Sequence, residues 1–142
     1  MPCLEKNIND YEHKVEIHGV GLGFKDNVVL DIDRVKTNST LTTTADYTCE
    51  EQSTEYTLDT FVKSMLDEPV EGPASIDFIK IVVEGYELDI LEGGKEVIAK
   101  YKPTLFIEDK NMEHEDIADF MDAMGYKLAE DDLQSYIWVY DE

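Results

Sequence analysis

The sequence is short of basic residues, of cysteine and of long apolar runs. Lysine and arginine total 12 against 33 aspartates and glutamates, which gives a net charge of −21 over 142 residues. Such a chain lacks the cationic surface that binds nucleic-acid backbones or anionic membranes, so we expect direct contact with neither. The excess of acid either keeps the protein soluble or docks it on a basic partner.

The scarcity of cysteine and of long apolar runs excludes several further classes of protein. Cys3 and Cys49 form no CxxC pair and have no histidine at metal-ligand spacing, so we expect reduced thiols and no metal site. No apolar run approaches the ~20 residues of a membrane span. The first ten residues have neither the basic start nor the apolar stretch of a secretory signal. The prediction is a soluble, cytoplasmic protein.

What is present predicts one α/β domain over residues 1–142. Apolar residues make up 42%, enough for a core. Ile76 to Val83 reads as a strand buried on both faces, followed by a helix from near Tyr86 that Gly93 and Gly94 interrupt. Thr104 to Ile107 is the next strand. This order is a β-α-β unit of a parallel sheet, which usually places function at the strand-to-helix turn.

The flanking segments carry weaker patterns. Thr57 can cap an amphipathic helix. After the β-α-β unit we expect a helix over Glu113 to Met124 that Gly125 ends, and an antiparallel pair of closing strands. The remaining expectations are a short helix at 2–11 and strands at 15–20 and 27–33. Residues 36–56 are rich in threonine and serine, and 36–44 within them are expected as a loop or edge strand. A helix with Leu58, Phe61, Val62, Met65 and Leu66 on its apolar face and closing strands at 127–129 and 136–140 complete the prediction.

Gly19 to Gly23, reading GVGLG, has two interpretations. A cofactor-binding loop follows a strand in this way, but it must open a helix, and here a turn and another strand follow. The alternative is that these glycines relieve crowding at a strand end.

The acidic turn Glu84, Glu87, Asp89 and Glu92 is the candidate site. It forms either a cleft with a carboxylate pair for a cation or polar acceptor, or a helix start that acids favour. The three histidines have no partner nucleophile for a triad. His114 lines the cleft edge beside Glu108 in one interpretation, and Trp138 is expected in a core strand.

Several short motifs of the sequence resemble those of the FkbM-type S-adenosylmethionine-dependent methyltransferases. The matching residues are Ile79-Lys80-Ile81, Glu84-Gly85, Glu87, Leu91 and Gly93, Pro103 and Glu108, Thr57-Leu58-Asp59, and Gly125-Tyr126. The resemblance implies a Rossmann-like class I sheet of order 3-2-1-4-5-7-6 with antiparallel last strands. It makes Glu84 and Glu87 catalytic candidates, and Val82, Gly85, Glu108 and His114 further cleft candidates.

Two departures separate this sequence from that family pattern. Val82 stands where the family has an aspartate facing donor and acceptor. The two strands that build the S-adenosylmethionine site have no counterpart, so we expect a truncated, incomplete sheet that lacks them and binds no cofactor in the isolated chain. Strand 3 of the family order must then pair with strand 4, pair with another chain or leave an open edge, so a compacted sheet or a homo-oligomer is expected.

Three functions are compatible with these patterns. The first is a degenerate methyltransferase-like pseudoenzyme without autonomous methyl transfer. The second is an active O-methyltransferase for a sugar or small metabolite, completed by a complementing chain or second copy. The third is an acidic interaction or assembly module that binds a basic partner.

Overall fold

The computed structural model describes residues 15–32, 51–64, 73, 75–83, 85–109, 114–132 and 134–142. The predicted helix at 2–11, the predicted loop or edge strand at 36–44, both cysteines, Met65 and Leu66 lie outside these residues. The described strands are β1 (Gly21–Gly23), β2 (Val28–Ile32), β3 (Glu51–Thr57), β4 (Phe78–Ile81), β5 (Thr104–Glu108), β6 (Tyr126–Asp132) and β7 (Ser135–Tyr140). The described helices are α1 (Leu58–Ser64), α2 (Glu87–Glu92), α3 (Lys95–Tyr101) and α4 (His114–Ala123). None of these helices is long and apolar enough to span a membrane.

The predicted β-α-β unit is confirmed. β4 and β5 pair in parallel, with Ile79 opposite Leu105 and Ile81 opposite Ile107. The connection is two short helices, because Gly93 and Gly94 form the turn between α2 and α3. Neither glycine has room for a side chain: a Cβ on Gly93 would collide with the carbonyl oxygen of Gly23, and one on Gly94 would lie 2.7 Å from a Leu58 methyl.

The C-terminal part agrees closely with the prediction. α4 starts with acidic residues, which its N-terminal dipole favours. Gly125 ends it in the left-handed region, with φ +83°, and its N–H donates to the Asp122 carbonyl at 3.0 Å. β6 and β7 then pair antiparallel, with an irregularity between Leu128 and Glu130. Each element here carries its own start or stop signal, which is why the sequence predicts it.

The described strands form two sheets. One has the order β4-β5-β7-β6 and is mixed, because β7 runs antiparallel to both β5 and β6. This order agrees with the 4-5-7-6 half of the implied family sheet. The other has the order β1-β3-β2, with β1 parallel and β2 antiparallel to β3. β3, for which the sequence analysis predicted no strand, is the central strand of this sheet.

Two sequence predictions about the strands are wrong. Residues 15–20 have no regular structure, and the strand in this region is the shorter β1, because pairing with β3 begins only at Gly21. β4 is not buried on both faces, since Phe78 is 55% exposed and only Ile81 of its four residues is buried. In the described sheet β4 is the edge strand, so its apolar side chains lack a neighbour on one side.

The core lies between the four-stranded sheet and the helices. Its fully buried apolar side chains come from α2, α3, α4 and β5: Leu91, Ile98, Leu105, Ile107 and Met121. Full burial of such a side chain stabilises a fold by about 1.5–3 kcal/mol. Trp138 on β7 joins this cluster at 7% exposure, which confirms that it is a core residue. A smaller cluster of Leu58, Val62 and Val97 joins α1 to α3.

Candidate functional site

The turn from β4 to α2 is the candidate site, and its backbone geometry involves Glu87. Gly85 has φ +108°, a region that favours glycine. The Glu87 carboxylate accepts the Gly85 N–H at 2.9 and 3.2 Å through its two oxygens, and Glu87 is 1% exposed. This carboxylate therefore supports the turn at the helix start. Glu84, the other catalytic candidate, lies outside the described residues.

The C-terminal end of β4 is apolar and open. Val82 and Val83 are 41% and 39% exposed, and Tyr86 is 44% exposed. A valine side chain accepts no hydrogen bond and binds no metal ion. The position that the resemblance assigns to an aspartate facing the cleft thus offers no ligand atom here.

A groove of about 590 Å³ runs beside β4, and we call it the β4 groove. Its walls come from four parts of the chain, the β1 region, the start of α1, the β4 region and α2, and are mostly apolar. The apolar lining includes Val20, Leu22, Leu58, Ile81, Val83 and Ile90. The size is typical of a small-molecule pocket. Lys80 and Tyr86 are the lining residues with polar side-chain groups, so the groove offers a mostly apolar surface.

Val20, Gly21 and Leu22 line this groove, and the stretch Gly19 to Gly23 does not open a helix. Gly21–Gly23 is β1, and after the bend that follows it the chain continues into β2. Gly23 is a buried glycine because the Glu55 side chain packs where a Cβ would be. The interpretation of these glycines as relief of crowding is therefore confirmed at Gly23, and that of a helix-opening cofactor loop is wrong.

A carboxylate outside the predicted site organises the α2–α3 connection. Asp59, in the first turn of α1, accepts the Val97 N–H at 2.8 Å and the Glu96 N–H at 3.2 Å. Its own N–H donates to the Gly93 carbonyl at 3.0 Å. Since Gly94, the N-cap of α3, has no side chain, Asp59 caps that helix from a different part of the chain.

A second carboxylate supports the start of α1. Asp26 accepts the Thr57 N–H at 2.8 Å and the Thr60 hydroxyl at 3.0 Å. The Thr57 N–H bond is the main cause that lowers the pKa of Asp26 below its usual value. Thr57 in turn accepts the Thr60 N–H at 3.1 Å, so the predicted cap is confirmed.

Of the other predicted site residues, Glu108 lies at the end of β5. Glu108 is half-buried and ends β5, and Asp109 next to it is 1% exposed, with its N–H donating to the Gln134 carbonyl at 2.8 Å. His114 begins α4, and nothing of its side chain is described. His18 lies edge-on to the Phe61 ring, with centroids 5.1 Å apart, in a packing role.

The acidic residues of the turn do not form a metal site in the described part of the chain. Glu87 is engaged by the Gly85 N–H, and Glu92 pairs with Lys95. Among all described residues, no three histidine, cysteine, aspartate or glutamate side chains are grouped closely enough to hold an ion. Glu87 and Glu92 therefore have structural partners.

The chain matches the family model described as the methyltransferase FkbM domain over residues 2–128. It belongs to the FkbM methyltransferase domain family. It is also similar in fold to a solved structure, the methyltransferase FkbM from Methylobacillus flagellatus KT, at 16% identity and a TM-score of 0.63. That similarity covers 98% of this chain and 32% of the solved chain, so this chain spans about a third of its length. No curated protein matches.

The structure gives a physical role to several residues that match the family pattern. Gly85 and Glu87 build the turn after β4, while Gly93 and Asp59 fasten α1 to the α2–α3 connection. The link from Asp59 to α3 was missed because 38 residues separate Asp59 from Val97. The only signal for it was that a helix begins after two glycines with no capping side chain of its own.

The family uses S-adenosylmethionine, and the described residues do not fit that group. The carboxylate of its methionine part needs backbone N–H groups at a glycine-rich helix start, and the stretch Gly19 to Gly23 runs into strand β1 instead of opening a helix. The N-terminal turn of α2, which borders the groove, already holds the Glu87 carboxylate, whose charge would repel that of the methionine part.

Proposed function

We propose that this chain is a methyltransferase-fold protein that does not transfer methyl groups on its own. The observation that carries the proposal is the exposed apolar end of β4, where Val82 replaces the expected acid. Methyl transfer requires donor and acceptor to be held in line at near-attack distance. The described residues of this turn supply a valine and a carboxylate already bonded to Gly85, and neither holds a donor.

Calorimetric titration tests this proposal. S-adenosylmethionine and S-adenosylhomocysteine are titrated separately into the purified 142-residue chain, with circular dichroism confirming that it is folded. We expect no saturable heat from either ligand. Saturable binding of either one with a micromolar dissociation constant would overturn the proposal, because the chain would then build a donor site unaided.

A second candidate function is supported by the edge of β4. β4 pairs only with β5 among the described strands, and the β4 groove lies alongside it with Phe78 and Val83 exposed. An unpaired apolar edge is a template for strand addition. In this form a second copy or a complementing chain covers the edge, and the assembly is an O-methyltransferase acting on a sugar or small metabolite.

Analytical ultracentrifugation with and without S-adenosylhomocysteine tests the second-copy form. That form requires a dimer whose formation coincides with ligand binding, and Val83→Lys should abolish both together by placing a charge on the edge. The exposed strand position Val29→Lys, in the other sheet, is the matched control and should change neither. A monomer that stays silent at every concentration excludes this form and leaves the first proposal standing.

A further inference from the structure

A second groove lies between α2 and α4, with a volume of about 550 Å³, and we call it the acidic groove. It shares no lining residue with the β4 groove. Leu88, Phe120 and Met124 are among its apolar lining residues, and Asp116 and Asp119 line it from α4. Both aspartates are exposed, so their charges face whatever enters the groove.

The acidic groove already holds a positively charged side chain. The Lys95 ammonium lies 5.6 Å from the centroid of the Phe120 ring and pairs with the Glu92 carboxylate. An ammonium over an aromatic face and beside a carboxylate is the arrangement by which proteins bind cationic groups. The groove is thus chemically suited to lysine or arginine.

Charge counting shows that Lys95 leaves this groove negative. Glu92, Asp116 and Asp119 line it against the single lysine, and the last turn of α4 has no basic residue. The rest of the chain adds to this field, since the net charge is −21. An anionic partner such as nucleic acid or an acidic lipid surface would therefore be repelled, and a cationic partner attracted.

We propose that the acidic groove binds a basic amphipathic helix of another protein. Its lysine or arginine side chains face Asp116 and Asp119, and its apolar side chains lie on Leu88 and Met124. A groove between two helices with an apolar floor is a common receptor for a third helix, and methionine adapts to varied side chains. This activity goes beyond the proposed function, since it needs no methyl donor and uses different residues.

Fluorescence anisotropy with a synthetic probe tests the proposal. The probe is a fluorescein-labelled Leu/Lys peptide with helical amphipathic spacing, compared with a scrambled Leu/Lys peptide and a Leu/Glu peptide. We expect saturable binding of the first only, weakening as salt is added. No saturable binding of the amphipathic peptide would overturn the proposal, and so would equal binding of the scrambled one.

Matched variants on α4 locate the binding surface. The double variant Asp116→Asn/Asp119→Asn removes two charges from the groove, and Glu115→Gln/Asp122→Asn removes two exposed charges from outside it. We expect the first to weaken binding roughly tenfold and the second less than about twofold. Equal losses would show general attraction to an acidic protein and would overturn the assignment to this groove.

Removal of Lys95 from the groove should strengthen binding of the probe, the opposite effect to removal of the aspartates. Lys95→Met frees Glu92 and the Phe120 ring for the incoming side chain, so the probe should bind more tightly. The control is Lys63→Met, which removes a similarly exposed lysine paired with Glu96 and should tighten binding less. Thermal melts confirm that each variant is folded. Equal tightening, or weaker binding in Lys95→Met, contradicts the proposal.

Discussion

Replacement of Asp59 by alanine is the most direct test of how this fold is held together. The carboxylate of Asp59 accepts the backbone N–H groups of Glu96 and Val97 at 3.2 and 2.8 Å. Those two groups belong to the first turn of α3, where backbone donors have no partner within the helix. Asp59→Ala leaves both without this acceptor and removes a negative charge from the positive end of the helix dipole.

The size of the expected loss comes from measured caps. Loss of a capping side chain costs about 0.5–2 kcal/mol, and a charged acceptor with two bonds lies in the upper part of this range. We expect Asp59→Ala to lower the free energy of unfolding by about 1–2 kcal/mol, or the melting midpoint by roughly 4–8 °C. Asp59→Asn keeps one good acceptor oxygen and should lose less than half as much.

Urea unfolding and hydrogen exchange measure the two consequences. The denaturation midpoint reports global stability, and the amides of Glu96 and Val97 should lose protection selectively. Asp122→Ala is the matched control, because it also removes one negative charge from an exposed helix position. We expect this control to stay within about 0.5 kcal/mol of the parent.

An Asp59→Ala protein as stable as the parent, with both amides still protected, would refute the reasoning. Water would then replace the carboxylate at no cost. The contribution of Asp59 to the α2–α3 connection would be limited to its own N–H bond with the Gly93 carbonyl.

Four further outcomes are expected. Gly93→Ala should cost about 1–3 kcal/mol in chemical denaturation, because its Cβ meets the Gly23 backbone; an unchanged midpoint would contradict the close approach. Tyr126→Phe should lower the free energy of unfolding by about 1–3 kcal/mol, because it leaves the buried Pro103 carbonyl without the Tyr126 hydroxyl. Burial raises the pKa of Tyr126 to about 12. The parent should therefore lose stability above pH 10, where the phenol of the unfolded chain ionises first. Absorbance titration of phenolate checks that value, and a normal phenol pKa would contradict it. Because the pKa of Asp26 is lowered in the folded chain, its contribution to stability is present above the unfolded pKa of 3.8 and is lost as the pH falls through the folded value. Asp26→Asn should reduce this pH dependence in acid unfolding curves. Val82→Asp alone should restore no S-adenosylmethionine binding in calorimetry, and a saturable isotherm would show that the valine was the sole defect.

Local signals were sufficient for much of the fold. α4 has an amphipathic stripe, an acidic first turn and a glycine stop, and all three agree, so the helix was predicted to within a residue. The β-α-β unit was predicted because β4 and β5 are short apolar runs separated by a helical pattern. The turn at Gly93 and Gly94 was also foreseen, since two adjacent glycines inside a helical pattern indicate that another part of the chain approaches the backbone closely.

Neighbours across the sheet were not predictable from the same sequence. An apolar run shows that a strand is able to be buried, but not which strands flank it, and Phe78 on β4 is 55% exposed. The short β1 was misplaced for the same reason, because its bounds depend on pairing with β3, which lies far away in the chain. The structure places Gly85 and Glu87 together at the predicted turn, while the catalytic roles of Glu84 and Glu87 remain predictions.

The amino-acid sequence by itself determined the order of helices and strands, the family and the strong negative charge, because each depends on residue type and local spacing. Only the tertiary structure decided that Asp59 caps α3, that Glu87 is bonded to Gly85, and that Lys95 lies over Phe120 in an acidic groove. These roles depend on distances between side chains and backbone groups, often far apart in the chain, and folding alone sets those distances.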